Sequence, residues 1–264
     1  MAFKNTKRLV IKLGSSTLTH ENGMANLRLI DRLVRVVSEM KNTGHEVVMV
    51  SSGAVAVGVQ KLGFADRPSD VAGKQAAAAV GQCSLIALYD RCFAEYNYRV
   101  AQILLTRNIV EQQRAKQNTI NTFHALLEMG AVPIVNENDT VLAEESLYGD
   151  NDRLSAIVAS LIEADGLIIL SDIDGLYDKD PRENPDAKLI PLVKKFTGDL
   201  SDGAGSAGTS RGTGGMQSKL EAARFATAAG IPVNIMNGQN PECIYDLLDG
   251  KSVGTLFVPE NYVY

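Results

Sequence analysis

Leu9-Val10-Ile11-Lys12-Leu13-Gly14-Ser15-Ser16 sets one lysine near the end of an apolar run, with a glycine turn directly behind it. Val, Ile and Leu bounded by glycine have the pattern of a central strand covered on both faces. An ammonium group in such a strand is costly to desolvate unless it sits at the carboxyl edge and faces an anion. In open α/β sheets that edge is where ligands bind. This segment alone is equally compatible with an edge strand and a solvated lysine. What favours the ligand reading is a second lysine far downstream, at the end of the glycine loop Gly212-Thr213-Gly214-Gly215-Met216-Gln217-Ser218-Lys219. There glycines stand immediately before a helical pattern, so free backbone N–H groups and the positive helix end can hold phosphate.

The remaining chain alternates in the same way. Helical spacing over Leu27–Met40 is closed by Gly44, and the buried-strand run 47–50 turns through Ser51-Ser52-Gly53 into a short helix ending near Leu62. A loop from Gly63 to Gly73 precedes an alanine-rich helix over 75–96. Strands are expected at 100–105, 132–135, 166–170, 233–236 and 254–258, and helices over 109–129, 150–162 and 216–229, with a last one opened by Asn240-Pro241. Residues 176–197 follow no clear period. This alternation predicts an α/β fold: a three-layer αβα sandwich around a mainly parallel sheet. No linker divides the chain, so a single domain over 1–264 is expected.

Several classes are excluded. The 264 residues carry a net charge of −5, which argues against a nucleic-acid or anionic-membrane surface. No stretch is apolar for long enough to span a bilayer, and the basic N-terminus lacks the features of a signal peptide. Cys83, Cys92 and Cys243 have no metal-ligand spacing and are expected to be reduced core thiols of a cytoplasmic protein. His20, His45 and His124 form no constellation. Gly203 to Gly208 matches a dinucleotide fingerprint only formally, since no strand precedes it. What stands out is convergence: Ser51-Ser52, Asn136-Glu137-Asn138-Asp139, Asp150 and Ser171-Asp172 each follow a strand or open a helix at what would be one sheet edge. Each alone is an ordinary turn or cap.

With these residues in view the chain resembles the amino-acid kinase superfamily, and within it the glutamate 5-kinases. The motifs that carry the likeness are Val10 to Ser16, Ser51-Ser52-Gly53-Ala54, Asn136 to Asp139, Gly149-Asp150-Asn151-Asp152, Gly175-Leu176-Tyr177 and Gly212 to Met216 with Lys219. Relatives acting on aspartate or N-acetylglutamate usually carry a second glycine where this chain has Ser15, and Thr is common where it has Ser171. Many members continue into a C-terminal PUA domain, whereas this sequence stops at Tyr264, as a short form or a truncated one would.

The resemblance implies phosphorylation of the L-glutamate side-chain carboxylate by ATP with Mg²⁺, the first step of proline biosynthesis. Lys12 and Lys219 would flank the transferring phosphoryl group, and Asp152 would orient them. Ser52, Asn136, Asp139, Asp150 and Asn151 would bind glutamate. Gly14, Ser171, Asp172, Thr213, Gly214, Gly215, Met216, Gln217 and Ser218 would join both lysines at the nucleotide. No protein metal site is implied, Mg²⁺ being bridged by the ATP phosphates. Feedback inhibition by proline and a homo-oligomer are further expectations. The alternatives are an acyl kinase for N-acetylglutamate or aspartate, and a nucleotide-binding regulatory module without turnover.

Overall fold

Alternation along the first strand, β1 (Arg8–Leu13), decides how the layers stack. Successive strand residues point to opposite faces, so Leu9, Ile11 and Leu13 enter one core and Val10 the other. The structure, a computed structural model, describes residues 2–141, 151–196 and 215–262. β1 lies between β2 (Glu46–Ser51) and β5 (Gly166–Ser171), parallel to both. Beyond β2 come β4 (Val132–Glu137) and the edge strand β3 (Val100–Leu105); beyond β5 comes β7 (Val233–Asn237), again all parallel. β8 (Thr255–Phe257) joins β7 antiparallel, and the two-residue β6 (Leu192–Val193) pairs in parallel with β8. The order is β3-β4-β2-β1-β5-β7-β8-β6.

Helices α2 (Leu27–Asn42), α4 (Val71–Ala94) and α8 (Cys243–Leu248) cover the face that holds Leu9 and Ile11, through residues such as Ile30, Leu33, Leu85, Phe93 and Leu247. Helices α5 (Gln113–Glu128), α6 (Asn151–Leu161) and α7 (Met216–Ala228) cover the other, through Phe123, Leu154, Val158, Ala222 and Ala226. The expected αβα layering around a mainly parallel sheet is what forms. After β2 the chain turns at Gly53, whose φ of +99° is one that glycine adopts freely, into α3 (Ala54–Lys61). α3 then lies directly on α4: a Cβ on Gly58 would stand 1.7 Å from the Ala77 carbonyl oxygen, and one on Gly81 1.7 Å from that of Ala54. Two glycines thus let α3 and α4 pack backbone against backbone.

Local expectations failed where distant or side-chain contacts decide. α4 begins at Val71, before the expected position, because the Asp70 carboxylate accepts the Gly73 N–H at 2.7 Å and caps the helix. The helix expected over 109–129 is a 3₁₀ turn, Arg107–Val110, followed by α5. Asn240-Pro241 forms a turn, and α8 starts only at Cys243. A single helical turn, α1 (Ser15–Leu18), follows directly behind Gly14. The unreadable stretch after 176 is held from afar: the Thr255 hydroxyl accepts the Leu176 N–H at 2.8 Å and donates to the Ile190 carbonyl at 2.7 Å. The three cysteines are free, but Cys83 is exposed and not a core thiol. No helix among the described residues is long and apolar enough to cross a membrane.

Candidate active site

Lys12 points to the same side of the sheet as Val10, toward α6 and α7, one residue from the carboxyl end of β1. The first turn of α6 brings Asp152 to it, and the first turn of α7 brings Lys219. Lys12 Nζ lies 2.5 Å from Asp152 Oδ1, and Lys219 Nζ lies 3.1 Å from Asp152 Oδ2. The Ser218 hydroxyl donates to the same Oδ2 at 2.9 Å. All three charged residues are buried, with 5%, 0% and 6% exposure for Lys12, Asp152 and Lys219. Burial alone would push the Asp152 carboxyl up, but the two lysines outweigh it and hold the group well below the usual carboxylate range. Among the described residues one carboxylate stands between two ammonium groups, an arrangement suited to an incoming anion.

The neighbouring backbone suits a phosphate. A Cβ on Gly14 would lie 3.9 Å from Lys12 Nζ, so the glycine keeps that approach open. α7 opens at Met216 behind its N-cap residue Gly215, which has no side chain to cap the first N–H groups, so a positive helix end lies beside Lys219. Met216 and Ser218 are half-buried in that first turn, whereas Gln217 is exposed and its amide turns to Glu221 at 3.3 Å. Ser171 is buried at the end of β5, its hydroxyl donating to Asp172 at 3.2 Å and its carbonyl accepting the Gly238 N–H. Thr213 and Gly214 lie outside the described residues.

A neutral network flanks the triad. The Asn151 amino group, next in sequence to Asp152, reaches the Ser51 carbonyl (3.1 Å), the Ser52 hydroxyl (2.9 Å) and Asn136 Oδ1 (2.9 Å). Ser52, Asn136 and Asn151, from three separate elements, are therefore joined. Asn136 is buried behind Asn151 and donates onward to Gln82. Asp139, in a 3₁₀ turn after β4, is half-buried; burial raises its carboxyl to about 6, with Arg67 opposing the shift. Asp139 also lines a cavity of about 620 Å³ with Gln82, Gln102 and Glu137, on the side of α4 and β3 and not lined by Lys12, Asp152 or Asn151. Asp150 lies outside the described residues.

Sequence reasoning missed Gln82, the Ser218 bond to Asp152 and the buried Tyr89 hydroxyl 3.0 Å from Ser51 Oγ. Gln82 carried a usable signal: it is the one long polar side chain in the helical spacing Ala78, Gln82, Leu85, Tyr89 of an apolar face.

The sequence pattern of the amino acid kinase family matches residues 7–237. A glutamate 5-kinase from Clostridium perfringens is 53% identical over 264 residues, covering 98% of either chain. One from Clostridium tetani is 51% identical, covering 96% of this chain and 95% of its own. A longer one from Caldanaerobacter subterraneus is 48% identical over 96% of this chain, which spans 68% of it. Among solved structures, an isopentenyl phosphate kinase from T. acidophilum matches 95% of this chain and 100% of its own, with a TM-score of 0.65 at 19% identity. A UMP kinase from Bacillus anthracis gives 0.65 at 18% over 97% of each. At such identities these two speak for the fold alone. The close relatives and the family pattern together place the site in a known lineage: the chain belongs to the amino acid kinase family, and within it to the glutamate 5-kinases.

Proposed function

We propose that this chain transfers the γ-phosphoryl group of ATP to the side-chain carboxylate of L-glutamate, giving L-glutamyl 5-phosphate and ADP at the start of proline biosynthesis. The observation that carries the reading is the buried carboxylate of Asp152 bound on its two oxygens by lysines from different elements, at the carboxyl edge of a parallel sheet. The attacking carboxylate, with a free pKa of about 4.3, is ionised at neutral pH and needs no general base. The difficulty is repulsion between a negative nucleophile and a negative triphosphate. Phosphoryl transfer is catalysed mainly by positioning and by stabilising charge. Lys12 and Lys219 would meet the charge that builds on the transferring oxygens, while Asp152 holds both ammonium groups in place.

Gly14 and the start of α7 would donate backbone N–H groups to phosphate, and Ser171 and Asp172 would line the nucleotide side with Met216, Gln217 and Ser218. Thr213 and Gly214 are proposed for the same side by the family motif. Ser52, Asn151 and Asp139 would hold glutamate, with Asp150 assigned by motif and Asn136 acting through Asn151. Mg²⁺ bound with ATP would neutralise phosphate charge. The Asp152 carboxylate is engaged on both oxygens by lysines, which supports Mg²⁺ entering with ATP rather than on this group. A single sheet drawing strands from Arg8 to Phe257 supports one domain. Family membership supports a cytoplasmic homo-oligomer and feedback by proline at the glutamate site.

The test is ATP-dependent trapping of the acyl phosphate with hydroxylamine, run in parallel with glutamate, N-acetylglutamate and aspartate. Hydroxamate from glutamate alone, or from it by a wide margin, is the expected result. Product chiefly from another acid would reassign the substrate, and none from any would leave a nucleotide-binding module.

A further inference from the structure

The direction of the amide network around Asn151 is fixed link by link. The carbonyl oxygen of Ser51 can only accept, so the atom of Asn151 that faces it at 3.1 Å must be the amino group. That group also meets Asn136 at 2.9 Å, which obliges Asn136 to present its oxygen. The amino group of Asn136 is then turned the other way, into the protein, where Gln82 Oε1 accepts it at 2.9 Å. Asn136 and Gln82 are buried, at 4% and 8% exposure, so an amino group left unpaired there is costly. Gln82 sits on α4 next to Gly81, where the close contact of Gly58 and Gly81 with the facing backbones fixes α4 against α3.

We propose that Gln82 is a positioning residue for the amino-acid substrate, acting through Asn136 on Asn151. The inference rests on the assignment of Asn151 to the glutamate site. With its amino group committed to Ser51, Ser52 and Asn136, Asn151 necessarily aims its carbonyl oxygen the opposite way, and an acceptor is what the α-ammonium of glutamate requires. Without the Gln82 acceptor, Asn136 either buries an unpaired amino group or flips. A flipped Asn136 would set its amino group against that of Asn151 and release the carboxamide from its orientation. Lys12, Asp152 and Lys219 make none of these contacts, so the phosphoryl-transfer machinery is left intact.

The experiment is steady-state kinetics on the full chain with Gln82→Met, close in shape but without the amide acceptor, and Gln82→Glu, which keeps an acceptor oxygen. Gln82→Met is expected to raise KM for glutamate about tenfold, in line with loss of one buried polar partner, with kcat and KM for ATP within about threefold. Gln82→Glu is expected to restore KM for glutamate to within about threefold of the parent at pH 8. Equal losses in the two variants, or a loss in Gln82→Met confined to thermal stability, overturn the proposal. If Gln82→Met does not fold, Gln82→Glu alone decides: a tenfold rise in its KM for glutamate refutes the acceptor role. Asn151→Leu run alongside separates the two levels. A raised KM for glutamate there with none in Gln82→Met removes only this inference, whereas no change in either removes the site assignment with it.

Discussion

The two ends of β1 carry the same pairing, a cation on a carboxylate, in opposite settings. At the amino end Arg8 Nε meets Glu46 Oε2 at 2.7 Å, Arg8 donates to the Ile162 carbonyl, and about a quarter of each charged side chain remains in solvent. The Asp165 carboxylate there accepts the N–H groups of Lys7 and Arg8, closing the strand's entry. At the carboxyl end Lys12 and Lys219 share Asp152 with almost no exposure. One end is charge-balanced by local pairs that water screens. The other, among the described residues, gathers two cations on one anion in a low-dielectric space, where a neighbouring anionic ligand is strongly felt. The difference separates charges that fasten a strand from charges held for chemistry.

The largest expected effect breaks that contrast at its buried end. Lys219→Ala should lower kcat by about 10²–10³, since that is the range for removing one donor aimed at transition-state charge, while ATP affinity measured by equilibrium binding changes far less. Lys12→Ala should behave alike. The double variant should lose less than the product of the two, because both lysines serve one charge. A near-parental kcat in Lys219→Ala would sink the mechanism given to the first turn of α7.

Next in size is the substrate side. Asp139→Asn should raise KM for glutamate about ten- to a hundredfold, the value of a charge-assisted bond of about 1.5–3 kcal/mol. KM for ATP should stay put and the preference over N-acetylglutamate, which lacks the ammonium, should narrow. Equal losses for both acids would mean that Asp139 only shapes its turn. The same residue predicts a pH dependence. Burial raises its carboxyl to about 6, against Arg67, so as pH falls through that value the charge that pairs with the ammonium is lost. The kcat/KM for glutamate, which reports the free enzyme, should decline by about tenfold between pH 6 and pH 5, above the range in which the substrate carboxylate is protonated, and this part of the decline should be absent in Asp139→Asn.

How much of this could be read from the sequence follows from the range of the forces. The parallel core was legible because β1, β2, β4 and β5 are buried on both faces and therefore appear as apolar runs. Lys12 was legible as an exception within such a run. Gln82 stood out as a polar side chain on an apolar helix face, but its role was not legible, because its importance lies in which way a distant asparagine points. The true start of α4 rests on one carboxylate, that of Asp70, and the 176–190 segment rests on Thr255, remote in sequence. Convergence of Ser52, Asn136 and Asn151 followed from strand ends sharing one edge, but their order in the network did not, since Asn136 stands behind Asn151 only through tertiary contacts remote in sequence.

The smallest expected effect tests the exposed end of β1. Solvent contact at Glu46 limits its pair with Arg8 to about 0–1 kcal/mol, so Glu46→Gln should lower stability by no more than that and shift Tm by at most about 2–4 °C for a chain of this size. Partial burial would raise the Glu46 carboxyl, but Arg8 and then Lys7 prevail and lower it below its ordinary value. A carboxyl depressed on folding stabilises above its unfolded pKa of about 4.3 and loses that contribution as pH falls through the lower folded value. The stability gap between parent and Glu46→Gln should therefore be full at pH 7, shrink below about pH 4 and narrow in high salt. Throughout, kcat and both KM values should match the parent. A fall in kcat of even tenfold would show that the amino end of β1 communicates with Lys12 along the strand, and the contrast between a fastening end and a reacting end would no longer hold.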